Sequence, residues 1–181
     1  MKRRQVAGVV GSAAGWALGA LLLPACYARE GERPPEAEPD LGEPLQFTFG
    51  TIAGGEVSSD TTRGRTTALL FVTTYDLPSQ GEAELLRDVL SSHKPVANAA
   101  IVMMEPPRSA ALAQVWADSL NLKWPIAMAS PSLLAGDSSL GRISGVPTLI
   151  VLDRRGRLVA KSEGALGRDA LRDCLTRADV R

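Results

Sequence analysis

Few side chains in this 181-residue sequence suit covalent or acid–base chemistry: one His, His93, and two Cys, Cys26 and Cys174. Asp76, Ser79 and His93 have the types of a hydrolytic triad. The apolar spacing around them puts Ser79 and His93 on one helix, fourteen residues apart. That is roughly 21 Å along the helix axis. A general base must come within about 3 Å of the proton it takes, so a hydrolase is excluded, and His93 reads as an exposed end-of-helix residue. Glu82 and Glu84 lie two apart on the same helix and face different ways. One His and two Cys barely supply a zinc ligand set. No metal and no cofactor are expected.

The two sulfurs lie far apart in the chain. Cys26 follows Met1 to Gln5, which holds Lys2, Arg3 and Arg4, and then an 18-residue apolar stretch from Val6 to Leu23. A basic start followed by an apolar run is an export signal. Its end, Leu23-Pro24-Ala25-Cys26, resembles the bacterial lipobox, which implies lipidation at Cys26. An uncleaved anchor is the competing reading, since 18 helical residues span roughly 27 Å. Cys174 falls on an apolar helical face and reads as a buried, inert packing residue.

Charge narrows the partners. Twenty basic and twenty acidic residues balance, and removal of residues 1–25 leaves 17 basic against 20 acidic. Nucleic-acid binding normally needs a basic excess, so none is expected. Arg142, Arg154, Arg155, Arg157 and Lys161 concentrate positive charge near one hairpin, and read as a solvated edge that deters strand pairing.

Residues 26–44 form a lipidated Cys and a disordered Pro- and Glu-rich tether: 27–44 holds four Pro and almost no bulky apolar side chain, too little to offset chain entropy. The folded part is 45–181. Thr66 to Thr73 is a continuous apolar, β-branched run suited to a buried strand, and Leu85, Leu86, Val89 and Leu90 then recur at helical spacing to Ser92. Ala97 to Met104 is a second strand. Ser109 to Leu120 is a helix with Leu112, Val115, Trp116 and Leu120 on one stripe, started by Pro106-Pro107. Trp124 to Ala129 is a short strand, with a helical turn near 133–140. Thr148 to Leu152 and Arg157 to Lys161 flank Asp153-Arg154-Arg155-Gly156 as a hairpin. Gly167 to Ala178 is the last helix, and Phe47 to Thr51 with Glu56 to Ser58 forms an N-terminal hairpin around Gly54-Gly55. The fold class is α/β: a central mixed sheet with helices on both faces.

Two segments at the joints of these elements carry a family likeness. Phe71-Val72-Thr73-Thr74-Tyr75-Asp76-Leu77-Pro78-Ser79-Gln80 resembles the active-site segment of the thioredoxin superfamily, particularly the membrane-attached TlpA-like type. Gly145-Val146-Pro147-Thr148, followed by LIVLDRRGRLV, resembles its cis-proline loop and closing hairpin. The resemblance implies a thioredoxin-like fold with an N-terminal β-hairpin extension and a cis Val146–Pro147 bond. It also implies a surface where the backbone before the proline pairs with an extended segment of a bound protein.

The active-site segment departs from the family at Asp76 and Ser79, which replace the two Cys of Cys-X-X-Cys. Dithiol exchange needs a thiolate and a resolving thiol, and neither residue has a sulfur. Asp76 suits a helix cap instead. The resulting expectation is a redox-inactive, redoxin-like envelope lipoprotein with a degenerate active site. It would face the periplasm and bind a peptide or envelope protein at Tyr75, Asp76, Ser79, Val146, Pro147 and Thr148. Two alternatives stay open: a thiol-disulfide or peroxide oxidoreductase acting through Cys174 or partner thiols, and a passive structural lipoprotein. Tyr27 after Cys26, in place of Asp, resembles the pattern that sorts lipoproteins to the outer membrane rather than the inner.

Overall fold

The continuous apolar runs become the centre of one sheet. The computed structural model describes residues 42–181 and the backbone of 36–37. The strands are β1 (Glu36–Ala37), β2 (Thr48–Thr51), β3 (Gly55–Ser58), β4 (Thr67–Val72), β5 (Asn98–Met103), β6 (Ile126–Met128), β7 (Thr148–Leu152) and β8 (Leu158–Glu163). Their spatial order is β1-β8-β7-β4-β5-β6-β2-β3. β4 and β5 pair in parallel, as do β5 and β6, and the remaining neighbours are antiparallel. Every residue of β4 and of β7 is buried, because central strands covered on both faces have no solvent side for polar residues.

The helices are α1 (Ser59–Thr62), α2 (Leu77–Ser92), α3 (Ala110–Ser119), α4 (Pro131–Ala135) and α5 (Arg168–Asp179). Alternation along β4 divides the core in two. Ala68, Leu70 and Val72 pack with Leu86 of α2, Trp116 of α3 and Leu171 and Leu175 of α5. Leu69 and Phe71 point the other way, to Phe47, Phe49, Leu133 of α4 and Leu140. Among the described residues the two faces are covered unequally: three long helices lie on one, while the other has the five-residue α4, assisted by the side chains of β2 and neighbouring loops.

Most expected elements occur within a few residues of their predicted bounds. Gly54 and Gly156 take the left-handed conformation that their tight turns demand (φ 79° and 82°). Two features differ. On α3, Leu112 and Val115 are 56% and 65% exposed, and the buried face is Ala113, Trp116, Ala117 with Leu120. Small alanines let α3 approach the sheet closely, which rotates the larger Leu112 and Val115 outward. The four-residue α1 has no counterpart in the sequence reading; Ser58 and Thr61 form a reciprocal capping box there.

β1 falls within the segment expected to be a tether; 27–35 and 38–41 lie outside the described residues, as do 1–25 and Cys26. Among the described residues no helix is long and apolar enough to cross a membrane.

Candidate functional site: the start of α2 and the proline bend

After Val72 the chain leaves the sheet through Thr73, Thr74 and Tyr75 and turns into α2 at Asp76. Asp76 is extended (φ −108°, ψ 116°), and its Oδ2 accepts the Ser79 N–H at 2.8 Å and the Ser79 hydroxyl at 2.6 Å. Pro78 stands in the first turn, where its missing amide hydrogen has no intrahelical acceptor to lose. Ser79 is fully buried, and its Oγ accepts the Thr73 N–H at 3.4 Å. Thr74 N–H donates to the Glu105 carboxylate at 2.6 Å from beyond the end of β5. Two carboxylates therefore pin the strand-to-helix turn.

The proline bend lies one strand away. β4 and β7 pair with Phe71 opposite Thr148, so Pro147 continues alongside Val72, about 5 Å across the ladder. The Val146–Pro147 bond is cis. Thr148 Oγ1 donates to Gly145 O at 2.6 Å and Gly164 N–H donates to Pro147 O at 2.7 Å, closing the bend from both sides. Val146 makes no backbone hydrogen bond among the described residues.

No family model matches the chain, and no curated protein matches it by sequence. Solved structures do match it in shape. A DsbF homologue from Corynebacterium diphtheriae superposes with a TM-score of 0.69 at 17% identity, over 82% of this chain and 95% of that one. A thioredoxin-family thiol:disulfide interchange protein from Chlorobium tepidum gives 0.64 at 19%, over 78% and 99%. A secreted Mycobacterium tuberculosis disulfide oxidoreductase homologous to Escherichia coli DsbE gives 0.58 at 18%, over 74% and 96%. The fold is thioredoxin-like.

Within this thioredoxin-like domain the six sequence-predicted site residues lie at one end of the sheet and present themselves unequally. Tyr75 is 81% exposed, Asp76 and Val146 are half-buried, and Pro147 is buried. Ser79 and Thr148 are fully buried with hydroxyls engaged internally, so they shape the surface while a partner would meet Tyr75, Asp76 and Val146. Leu77 belongs with these and was missed. It is 80% exposed at the first position of α2, and its place between Asp76 and Pro78, ahead of the helix's apolar stripe, was the available signal.

The other reactive side chains lie elsewhere. His93 caps the far end of α2, and it is not the exposed residue that its sequence position suggested. Its side chain is 9% exposed, with Nε2 2.8 Å from Oδ2 of Asp179, whose other oxygen accepts the Thr66 hydroxyl at 2.6 Å. The end of α5 packs over it, a contact between residues 86 positions apart that no local pattern announces. Cys174 is fully buried in α5, and burial pushes its thiol above the ordinary range, opposed by an Arg177 guanidinium hydrogen bond at 3.6 Å. A buried thiol held protonated is a poor nucleophile. Glu82, one turn beyond Ser79, is 3% exposed. Its Oε2 accepts the Leu166 N–H at 2.9 Å, its Oε1 has no partner among the described residues, and burial raises its pKa to about 7. Glu84 points away from it, half-buried. Among the described residues no three His, Cys, Asp or Glu side chains converge as metal ligands.

The Asp76 cap has a measurable weight. Asp76→Ala removes the acceptor for one backbone amide and for a buried hydroxyl, with an expected loss of roughly 1–2 kcal/mol in urea denaturation. Asp76→Asn, which keeps an acceptor oxygen, should recover most of that loss.

Proposed function

We propose that this domain is a thioredoxin-fold envelope module that binds a peptide or protein partner beside the proline bend and carries out no disulfide exchange of its own. The observation that carries the reading is the helix start: Asp76 and Ser79 occupy the positions resembling Cys-X-X-Cys and are hydrogen-bonded to each other, while Tyr75 and Leu77 on either side of Asp76 stand about four-fifths exposed. Large apolar side chains so placed contribute nothing to the core. They supply contact area of the kind that anchors interfaces. The unpaired backbone of Val146 adds a hydrogen-bonding edge for an extended segment. Lipid attachment at Cys26 and a periplasm-facing position, at the outer membrane by the Tyr27 pattern, complete the proposal.

The structural neighbours, named for disulfide chemistry, favour a second reading: a thiol-disulfide oxidoreductase. In this chain it would have to work through Cys174 or between thiols of its partners, and the burial of Cys174 weighs against the first route.

One experiment separates the readings. Envelope proteins captured by the full chain should be identified, and the same defined partners should be lost, by about tenfold or more, on Tyr75→Ser with Leu77→Ser or on Val146→Asp. The urea midpoint of the Tyr75/Leu77 variant should be unchanged, because truncating exposed side chains costs little stability. Disulfide-peptide reduction by the full chain that disappears in Cys174→Ser would overturn the proposal in favour of the oxidoreductase. Capture indifferent to all three substitutions would favour a passive structural role.

A further inference from the structure

The end of the sheet opposite the proline bend gathers basic side chains from three separate segments. Strand direction places them together: the segment before β4, the segment before β5 and the β7–β8 turn all lie there. Arg65, Arg154, Pro95 and Val96 line one shallow cleft of about 320 Å³, and the Gly64 N–H donates to Arg154 O at 2.8 Å across its floor. Lys94 and Arg155 stand beside it. All four basic side chains are exposed, and none has a carboxylate partner among the described residues.

The neighbouring acids are largely committed. Asp60 pairs with Arg63, Asp153 is buried beneath Arg157, and Asp179 is held by His93 and Thr66; exposed Glu43 remains. The charge run noted near the hairpin therefore divides. Arg157 is neutralised and Lys161 donates to the Leu140 and Arg142 carbonyls, while Arg154 and Arg155 join Arg65 and Lys94. Val96, 57% exposed, adds an apolar side chain to the cleft that Arg65 and Arg154 line.

The chain joins the sheet at β1, where Glu36 and Ala37 pair with Lys161 and Ala160 of β8, and then runs to this end. Leu45 N–H donates to Gly156 O at 2.9 Å in the same β7–β8 turn. Nine residues, 27–35, separate β1 from Cys26 at the end of the apolar stretch that reads as a membrane signal or anchor. A spacer of nine residues reaches up to about 30 Å when extended, so it permits both contact and separation, and the domain's own surface decides.

We propose that this basic end docks on anionic lipid headgroups of the membrane that holds the N-terminus, with Val96 at the headgroup boundary and the Tyr75–Pro147 surface turned away from the bilayer. The inference rests on the membrane attachment argued from the N-terminal segment and is independent of what the proline bend binds. Exposed arginines and lysines around an apolar tip match an anionic interface. Zero net charge over the whole chain disfavours a nucleic acid.

The test uses the full chain in phosphatidylcholine vesicles and in phosphatidylcholine vesicles containing phosphatidylglycerol. Flotation with both types checks attachment separately. Amide hydrogen exchange should slow at 63–66, 94–98 and 153–157 only with phosphatidylglycerol, and the protection should fade at high salt. Arg65→Gln with Arg154→Gln should weaken the docked orientation about thirtyfold, on a scale of about fivefold per charge. Equal exchange in the two lipids, protection at 73–79 instead, or protection that survives the double substitution because the chain's own acidic 27–43 segment covers this end would each overturn the proposal. A chain that floats with neither vesicle would overturn both the attachment and the docking.

Discussion

Glu82→Gln should make this protein more stable at pH 8, by about 2 kcal/mol, and less stable at pH 4.5, by about 1 kcal/mol. Desolvation raises the Glu82 pKa from its ordinary 4.5 to about 7 in the folded state. Below pH 4.5 the carboxyl is protonated whether the chain is folded or not, and it adds no pH dependence. Between 4.5 and 7 the folded state holds a proton that the unfolded state releases, so stability falls as pH rises. Above 7 the penalty levels off at about 3 kcal/mol, the value of the shift at 1.36 kcal/mol per pH unit. Gln keeps an acceptor for the Leu166 N–H, but its buried NH₂ group has no partner where Oε1 stood, and that lowers the net gain. Urea denaturation at the two pH values measures the difference. Subtracting the wild-type curve cancels the pH dependence that the two proteins share. Parallel curves for the two proteins from pH 4.5 to 8 would mean that Glu82 is hydrated and its burial misread.

Glu82 also shows where sequence reading reached its limit. Its neighbours on the buried face of α2 are Ser79, Ala83, Leu86 and Val89, and helical spacing puts Glu82 among them. The residue type argued for solvent, the spacing for the core. Spacing won, because the Leu166 amide in the loop before α5 supplies a partner 84 residues away. His93 and Glu105 escaped for the same reason: their partners, Asp179 and the Thr74 amide, are distant in sequence. Leu112 and Val115 failed differently. Residue size favours Leu112 and Val115 for the core, although the face of α3 that meets the sheet is Trp116 flanked by the small Ala113 and Ala117. What could be read was what local chemistry decides: the buried strands, the Gly156 turn, and an Asp able to cap a helix.

Fold and chemistry therefore separate at the start of α2. The turn from β4 into α2 is held by Asp76, Ser79, Glu105 and the paired strands, and all of these bonds go to oxygen. A Cys-X-X-Cys helix start must leave its first sulfur exposed and ionisable to react. Here the Asp76 carboxylate satisfies the Ser79 amide and hydroxyl. The start of α2 carries a cap, and the register of β4 against β7 brings the proline bend alongside.

Placing sulfurs at 76 and 79 tests that separation directly. In Asp76→Cys with Ser79→Cys the two residues sit three apart across the first turn of α2, where Cβ atoms lie about 5–6 Å apart before adjustment. An extended residue at the cap lets that gap narrow toward the roughly 3.5–4.5 Å that a disulfide requires. The folded double variant is expected to form this bond reversibly, and peptide mapping should place it between 76 and 79, with buried Cys174 left unmodified. Its first thiol, at the N-terminus of a 16-residue helix, should ionise below the ordinary Cys range near 8.5, because the helix end favours the anion. Disulfide-peptide reduction should then rise from background to a measurable turnover, at a stability cost of roughly 1–2 kcal/mol for the lost cap in the reduced form. Each single substitution should fail to turn over, since one thiol cannot resolve a mixed disulfide. If the double variant folds and its thiols stay unpaired under mild oxidant, the alignment of Asp76 and Ser79 with Cys-X-X-Cys is wrong. If it oxidises but reduces nothing, the geometry of the motif has survived and the surface around Tyr75, Leu77 and Val146 does not admit a disulfide substrate.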